Sequence, residues 1–284
     1  MIGWIINPLS YEFMQRGLVA ALMVGVLCSI IGCYVVLRSM AFLGDALAHA
    51  VLPGIAIAYL LKGNLSLGAL AAALIVAIGI GIFSRQGTVK EDTAIGILFA
   101  AALSLGVALI SSIRTYAVDL SHILFGNVLG VSPADLQLTA GIGLLVLATV
   151  FICYRPFLVI VFDPILAATL RLPAEFLRIL MLVLLALTIV LSMQTVGVGL
   201  VAAMLVTPAA TASLLTRRLP SMMLVSALVG AFSAIAGLYA SYYVNVASGS
   251  AIVLVATILF LLAFLFSPRR GVLVKYLRSG QKAS

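Results

Sequence analysis

Nine apolar runs of about 20 residues follow one another along the chain, the length an α-helix needs to cross the hydrocarbon core of a bilayer. Of the 284 residues, 64% are hydrophobic and 8% are charged, and the mean hydropathy is +1.32. This leaves too little polar surface to cover a water-soluble globule. We therefore predict an all-α polytopic integral membrane protein in the lipid bilayer, with spans near 18–37, 40–61, 65–84, 93–113, 134–154, 176–195, 197–216, 221–243 and 250–267.

The expected number of spans is nine, or eight if a glycine-interrupted run such as 197–216 does not cross fully. The longest polar interruption, near 84–92, has the length of a connector rather than of a domain. One transmembrane domain is therefore expected to take the whole chain, 1–284. The N-terminal segment lacks a basic stretch ahead of a short apolar core, so no removable signal peptide is expected.

Basic residues flank the apolar runs. The formal charge is +8, from 16 Lys and Arg against 8 Asp and Glu. Loops richer in Lys and Arg alternate with poorer ones, which is the positive-inside pattern and argues against a nucleic-acid partner. Placing the richer loops inside puts the C-terminus in the cytoplasm, and the basic tail 268–284 is expected to lie at the anionic leaflet.

One connection on the expected outer side is more than a turn. Segment 118–133 is too short to span, yet it is apolar and carries Gly126 and Gly130 four residues apart. This favours a re-entrant or interfacial helix packed closely against a neighbour.

A second such connection, 162–172, lies on the expected cytoplasmic side. Asp163 followed by Pro164 predicts a helix N-cap with proline at the first helical position. Pro173 is expected to end this short helix and open the next span. From spacing alone, a plain connector is favoured over a helix that docks a cytosolic motor.

Asp45 and His49 lie within the second apolar run, and their spacing of four places both on one helical face. An ionised aspartate at membrane depth costs several kcal/mol unless it faces a partner, a cavity or an ion. We predict a divalent-cation site here. The alternative is a structural pair, with Asp45 at a helix N-terminus and His49 bonded to a backbone carbonyl. A kink at Pro53 is expected to reshape the helix nearby.

One chain supplies only one carboxylate and one imidazole from this motif, whereas zinc binds about four ligands and manganese about six. A two-fold dimer would bring two of each to its axis, giving four ligands, or six with bidentate carboxylates. Nitrogen and oxygen ligands without thiolate suit first-row divalent ions and argue against copper(I). Mn(II) is slightly favoured as the transported ion, with Zn(II) and Fe(II) open, and no bound cofactor is expected.

Several stretches resemble the permease subunits of the ATP-binding-cassette importers for manganese, zinc and iron. They are 44–54, 91–99, 119–129, 162–164 with Ala167 and Ala168, and 196–220. The resemblance implies a homodimeric permease in a prokaryotic cell membrane. It also implies two cytosolic ATP-binding subunits and an extracellular or periplasmic metal-binding protein as partners.

Carried over residue by residue, Asp45 and His49 match the family's transmembrane metal ligands. His122 resembles the manganese and iron branch more than the zinc branch, and with Asp119 it is a candidate outer entry site. The alternative is that water at the interface satisfies both. The family's coupling helix, which docks on the ATPase, is matched by Asp163, Pro164, Ala167, Ala168 and Arg171. Ile165 stands where the family often has an acidic residue.

Other classes of function fit less well. The chain has two histidines and no HExxH or GxSxG motif, which argues against an intramembrane protease. It has no GxxxxGK[ST] loop, so ATP hydrolysis is expected on separate chains and this chain is not expected to be an enzyme. An ion-coupled secondary metal transporter is the alternative, but it would be expected to show inverted halves, each with a broken helix at the site.

Overall fold

The computed structural model describes residues 8, 10–85, 89–112, 130–162 and 164–267. Within these ranges the chain is α-helical with short turns and contains no strand. The helices, in chain order, are α1 (Glu12–Leu37), α2 (Phe42–Ala50), α3 (Leu52–Leu60), α4 (Leu65–Phe83), α5 (Glu91–Ser111), α6 (Pro133–Ile152), α7 (Tyr154–Phe162), α8 (Pro164–Thr169), α9 (Ala174–Val196), α10 (Val198–Leu215), α11 (Leu219–Val244) and α12 (Ser248–Phe266).

Nine segments of the described chain are long and apolar enough to cross a membrane, and α2 and α3 together form the second of them. The all-α class and the count of nine are confirmed. The largest shift in a boundary is at the first span, which begins at Glu12 rather than at residue 18. Glu12 and Arg16 form an i,i+4 ion pair there, which extends the helix beyond its apolar part.

Helix α1 is the central element, and it packs against α6, α9, α10 and α11. Its closest approach to α10 is at Gly32, where an added Cβ would lie 1.7 Å from the carbonyl oxygen of Leu205. Only glycine allows two helix backbones to come this near. Because α10 also packs against α2, this contact fixes the core beside the second span.

The chain reverses between α1 and α2 through a helix-ending motif without glycine. Ser39 has a left-handed conformation (φ 59°), and the Met40 amide donates to the carbonyl oxygen of Val35 at 3.0 Å. This six-to-one hydrogen bond is a Schellman ending. It returns the chain within a few residues into α2, which places Asp45 in the first turn of the second span.

The second span is interrupted at Val51, between α2 and α3. Pro53 has no N–H to donate to the carbonyl oxygen of His49 one turn earlier, which accounts for the interruption. The next residue, Gly54, meets Gly68 of α4, because a Cβ at Gly54 would lie 2.0 Å from the Gly68 carbonyl oxygen. The break therefore lies directly after the acid–histidine motif and is held by close helix packing.

The connection expected at 162–172 contains one short helix, α8. A second short helix, α7, precedes it, and the apolar pattern did not separate α7 from the preceding span. Helix α8 opens at Pro164 as expected but ends at Thr169 rather than at 172. The earlier end has a local cause, since Arg171 is left-handed (φ 53°) and the Leu172 amide donates to the Ala167 carbonyl at 3.0 Å. Pro173 then N-caps α9.

Other predicted features lie largely outside the described residues. Asp119, His122 and most of segment 118–133 belong to this group, as do Asp163 and the tail 268–284. Only residues 130–133 of segment 118–133 are described. Among them, Ser132 forms a capping box with Asp135 at the start of α6.

Candidate metal site

Helix α2 presents Asp45 and His49 on one face, as their spacing predicts. The distance between Asp45 Oδ1 and His49 Nε2 is 3.6 Å. Two donors bound to one ion at about 2.1 Å each are about 3.0–3.4 Å apart, so this separation needs only a small adjustment to hold a cation.

The same face of α2 is left uncovered by the rest of the chain. The side chains of Asp45 and His49 are 44% and 32% exposed, whereas Leu43 and Leu47, on the opposite side, are fully buried. Within the described residues, no group of three or more His, Cys, Asp or Glu side chains could hold a metal ion. A complete coordination sphere built on this pair would therefore need ligands from water or from another chain.

Two aromatic rings flank the pair. Phe99 of α5 meets Phe42 of α2 edge-on at 5.4 Å and lies 6.3 Å from the His49 ring, both measured between centroids. Phe99 therefore places an apolar ring on one side of the acid–histidine face. Sequence analysis did not predict this contact, because a phenylalanine in a membrane span is ordinarily a lipid or packing residue.

A partly buried ion pair lies at the end of the bundle where α2 and α5 begin. Arg38 Nη2 donates to Glu91 Oε2 at 2.9 Å, and the two side chains are 15% and 18% exposed. Burial lowers the pKa of Arg38 from its usual range; the carboxylate of Glu91 opposes this shift and nearby Arg178 adds to it. Glu91 lies in the first turn of α5, where an acidic residue also stabilises the helix dipole. Its pairing with Arg38 was missed.

Arg178 of α9 donates hydrogen bonds to the C-terminal end of α4. Its Nη1 donates to the carbonyl oxygen and the hydroxyl of Ser84 at 3.0 and 3.2 Å, and its Nη2 donates to the carbonyl oxygen of Gly81. Carbonyls in the last turn of a helix generally lack a partner one turn later, and a cation there also favours the helix dipole. Nη2 also donates to Glu175 at 2.9 Å. Arg178 is only 12% exposed, so it ties α4 and α9 together at one end.

The predicted coupling residues are only partly described. Ala167 is fully buried, and Arg171 occupies the left-handed turn after α8. Pro164 opens the helix and Ala168 lies within it. Asp163, the expected N-cap, lies outside the described residues.

In the part of the chain that the structure describes, nine membrane-length segments, a span broken beside an acid–histidine pair, and short connecting helices are the features of a multi-pass membrane permease. The sequence model of the ABC 3 transport family matches residues 10–267. The chain belongs to that family.

Relatives along nearly the whole length are named as manganese transport proteins. The manganese transport system membrane protein MntC of Halalkalibacterium halodurans is 52% identical over 97% of this chain and 94% of its own. The manganese import system permease protein ScaB of Streptococcus parasanguinis is 42% identical over 92% of this chain and 93% of its own.

Two solved structures share the fold. PsaBC from Streptococcus pneumoniae, solved in complex with Fab, is similar with a TM-score of 0.84 and 40% identity over 99% of this chain and 100% of that one. An inward-facing putative metal-chelate type ABC transporter has a TM-score of 0.70 over 88% of this chain and 85% of that one. At 15% identity, the second likeness supports the fold alone.

Family membership confirms the resemblance found in the sequence motifs. The chain is the transmembrane permease subunit of an ABC transporter and not an enzyme, since ATP hydrolysis in such systems resides on separate subunits. The alternative of a secondary transporter acting without an ATPase is therefore set aside.

Proposed function

We propose that this permease imports a divalent transition metal, with Mn(II) as the favoured substrate, and that Asp45 and His49 are its transmembrane ligands. The observation that carries the proposal is the uncovered acid–histidine pair, with 3.6 Å between the two donor atoms. Manganese as the substrate is supported by the manganese transport proteins among the relatives, which are up to 52% identical. Zn(II) and Fe(II) remain alternatives, because this donor set accepts all three ions.

The site is completed by a second copy of the chain. Each copy contributes one carboxylate and one imidazole, and a two-fold axis beside the exposed face of α2 doubles the set to four ligands, or to six with bidentate carboxylates. The exposure of both side chains in the single chain supports this arrangement. Carboxylates and imidazoles without thiolate suit a transported ion, since binding has to be weak enough for release.

The permease works with two cytosolic ATP-binding subunits and an external metal-binding protein. The C-terminus is cytoplasmic, because that orientation places the loops rich in Lys and Arg inside. Residues 163–171, with Asp163, Pro164, Ala167, Ala168 and Arg171, dock on the ATP-binding subunit. ATP binding closes the two motor subunits and moves this segment. The movement switches access to Asp45 and His49 from the outside to the cytoplasm. Asp119 and His122 provide an outer entry point.

Mn(II) binding to the purified permease–ATPase complex tests the ligand assignment. We expect about one ion per two permease chains, from the two-fold geometry. Asp45→Asn and His49→Gln keep the side-chain volume but remove the charge and the imidazole, so both should abolish tight binding and ATP-driven uptake. Pulsed EPR of bound Mn(II) should show coupling to imidazole nitrogen in the wild type and lose it in His49→Gln.

Asp92→Asn is the matched control, because Asp92 is an exposed acid in the first turn of α5. It should bind and transport as the wild type does. Undiminished binding in Asp45→Asn and His49→Gln would make the pair structural and direct the search for the pathway to His122. Preferential uptake of Zn(II) at equal free-ion concentration would overturn the choice of manganese.

A further inference from the structure

Five helix ends lie at the end of the bundle that the charge pattern places in the cytoplasm. Arg38, between α1 and α2, pairs with Glu91 at the start of α5. Arg178 joins the start of α9 to the end of α4 through Ser84 and Gly81. Helix α2, which follows Arg38, packs against α4, α5 and α9, so the two clusters belong to helices that contact one another. Besides Glu91, the acid that faces this group is Glu175, which is bonded to Arg178 and is 48% exposed.

Three polar atoms of this network have no hydrogen-bond partner. Arg38 Nη1, Arg178 Nε and Glu91 Oε1 are buried without a hydrogen-bond partner. An unpaired buried polar atom is costly, and more so when the group is charged. Two free donors and one free acceptor leave these charged groups able to form a second set of hydrogen bonds. A simple structural clamp would be expected to use all of its donors.

The network also lies between the two regions that transport has to connect. On one side, only residues 170–173 separate α8 from α9, which carries Arg178. On the other side, Arg38 lies shortly before Asp45 in the chain. Glu91 opens α5, and the same helix carries Phe99 against the His49 ring. A shift of α8 therefore reaches α2 and α5 through these three charged side chains.

We propose that Arg38, Glu91 and Arg178 form a latch that exchanges hydrogen-bond partners when α8 moves and so transmits that movement to the helices carrying Asp45, His49 and Phe99. This proposal rests on the import function proposed above. In the second arrangement, Arg178 Nε donates to Glu91 Oε1, and the hold of Arg178 on the end of α4 loosens. The three side chains are positioning residues and do not contact the ion.

Replacing the pair by apolar side chains separates a latch from a structural ion pair. A buried ion pair can often be exchanged for packed apolar residues of similar volume without loss of stability. In Arg38→Met/Glu91→Leu the melting temperature and the Mn(II) affinity should therefore stay near those of the wild type. With the ATP-binding subunits in proteoliposomes, the number of Mn(II) ions taken up per ATP hydrolysed should fall about tenfold, which is a typical size for coupling between two sites.

Arg178→Lys provides a second test that does not depend on that double substitution folding. Lysine keeps the charge at the end of α4 but removes Nε and the fork of donors. Uptake per ATP should again fall about tenfold while Mn(II) binding is retained. Glu12→Gln/Arg16→Gln removes the exposed ion pair at the start of α1 and should leave uptake per ATP unchanged.

Wild-type coupling in Arg38→Met/Glu91→Leu would show that the pair only stabilises the fold and would overturn the latch. So would a parallel loss of melting temperature, binding and uptake in Arg178→Lys. Failure of the import function has a different signature, because wild-type vesicles would then show no ATP-driven Mn(II) uptake, or Asp45→Asn would transport normally.

Discussion

The second span and the last span show opposite relations between hydropathy and burial. The second, Phe42–Leu60, is the least apolar of the nine, yet 72% of an 18-residue stretch of it is buried inside the protein. The last, Ser248–Phe266, is the most apolar, and only 17% of such a stretch is buried. In a water-soluble protein the order would be reversed, because burial of apolar surface is what drives folding there.

The bilayer explains the inversion. Lipid is as apolar as leucine, so apolar side chains gain little by leaving it, and helices associate through close packing and hydrogen bonds instead. An aspartate and a histidine, by contrast, need protein or an ion around them. The second span, which carries both residues, packs largely among other helices, although the Asp45–His49 face itself is uncovered in the single chain. The outer face of the last span, with Leu254 and Ile258, is left apolar and uncovered.

The largest effect is expected where two buried helices touch backbone to backbone. Gly32→Ala places a Cβ 1.7 Å from the Leu205 carbonyl oxygen, and backbone cannot move aside as a side chain can. Because α1 and α10 have to separate, the cost should be about 3 kcal/mol or more, beyond ordinary overpacking. The melting temperature in detergent and the yield of folded protein measure it.

Gly141→Ala in α6 is the matched control, since an added Cβ there has no neighbour within 4 Å. Alanine favours a helix over glycine by about 1 kcal/mol, so this variant should be as stable as the wild type or slightly more stable. Equal destabilisation by both substitutions would mean that the central packing is not the source of stability.

Two leucine substitutions, one in the second span and one in the last, test the comparison between these spans directly. Leu47→Ala removes a fully buried side chain from the second span and should destabilise by about 2 kcal/mol, since it leaves a cavity. Leu254→Ala trims a side chain that is 61% exposed on the last span, where lipid fills the space, and should cost less than about 0.5 kcal/mol. Thermal unfolding of both in the same detergent is the measurement. A larger loss in Leu254→Ala would indicate that this face packs against protein rather than lipid.

The sequence allowed most of the architecture to be predicted. Runs of about 20 apolar residues define spans because a bilayer fixes the required length. The Asp45–His49 face followed from helical periodicity, and the break near Pro53 from the missing N–H. These are local properties, each contained within one or two turns of helix.

What could not be predicted depends on contacts between distant segments. Arg38 and Glu91 are 53 residues apart, and Arg178 and Ser84 are 94 apart. Each looks from the sequence like an interfacial charge or a small polar residue. The early end of α8 depends on a left-handed Arg171, a conformation that sequence assigns readily only to glycine or asparagine.

A smaller effect is expected from a hydrogen bond buried between α1 and α11. Ser226 Oγ donates to the carbonyl oxygen of Ser29 at 2.9 Å. Ser226→Ala should cost about 0.6 kcal/mol, the average for hydrogen bonds between membrane helices, and Cys33 Sγ still donates to the same oxygen. A melting temperature lowered as far as in Leu47→Ala would contradict the ranking of packing above hydrogen bonding.

The smallest effect should come from Tyr34→Phe. The Tyr34 ring is buried edge-on against Phe157 at 5.7 Å between centroids, and its hydroxyl is buried without a hydrogen-bond partner. Removing an unpaired buried hydroxyl loses no hydrogen bond and relieves its desolvation cost, so stability should be unchanged or slightly higher. If transport falls while the melting temperature holds, the hydroxyl acquires a partner in another conformation. Tyr34 would then join Arg38, Glu91 and Arg178, the residues that we propose serve movement rather than stability.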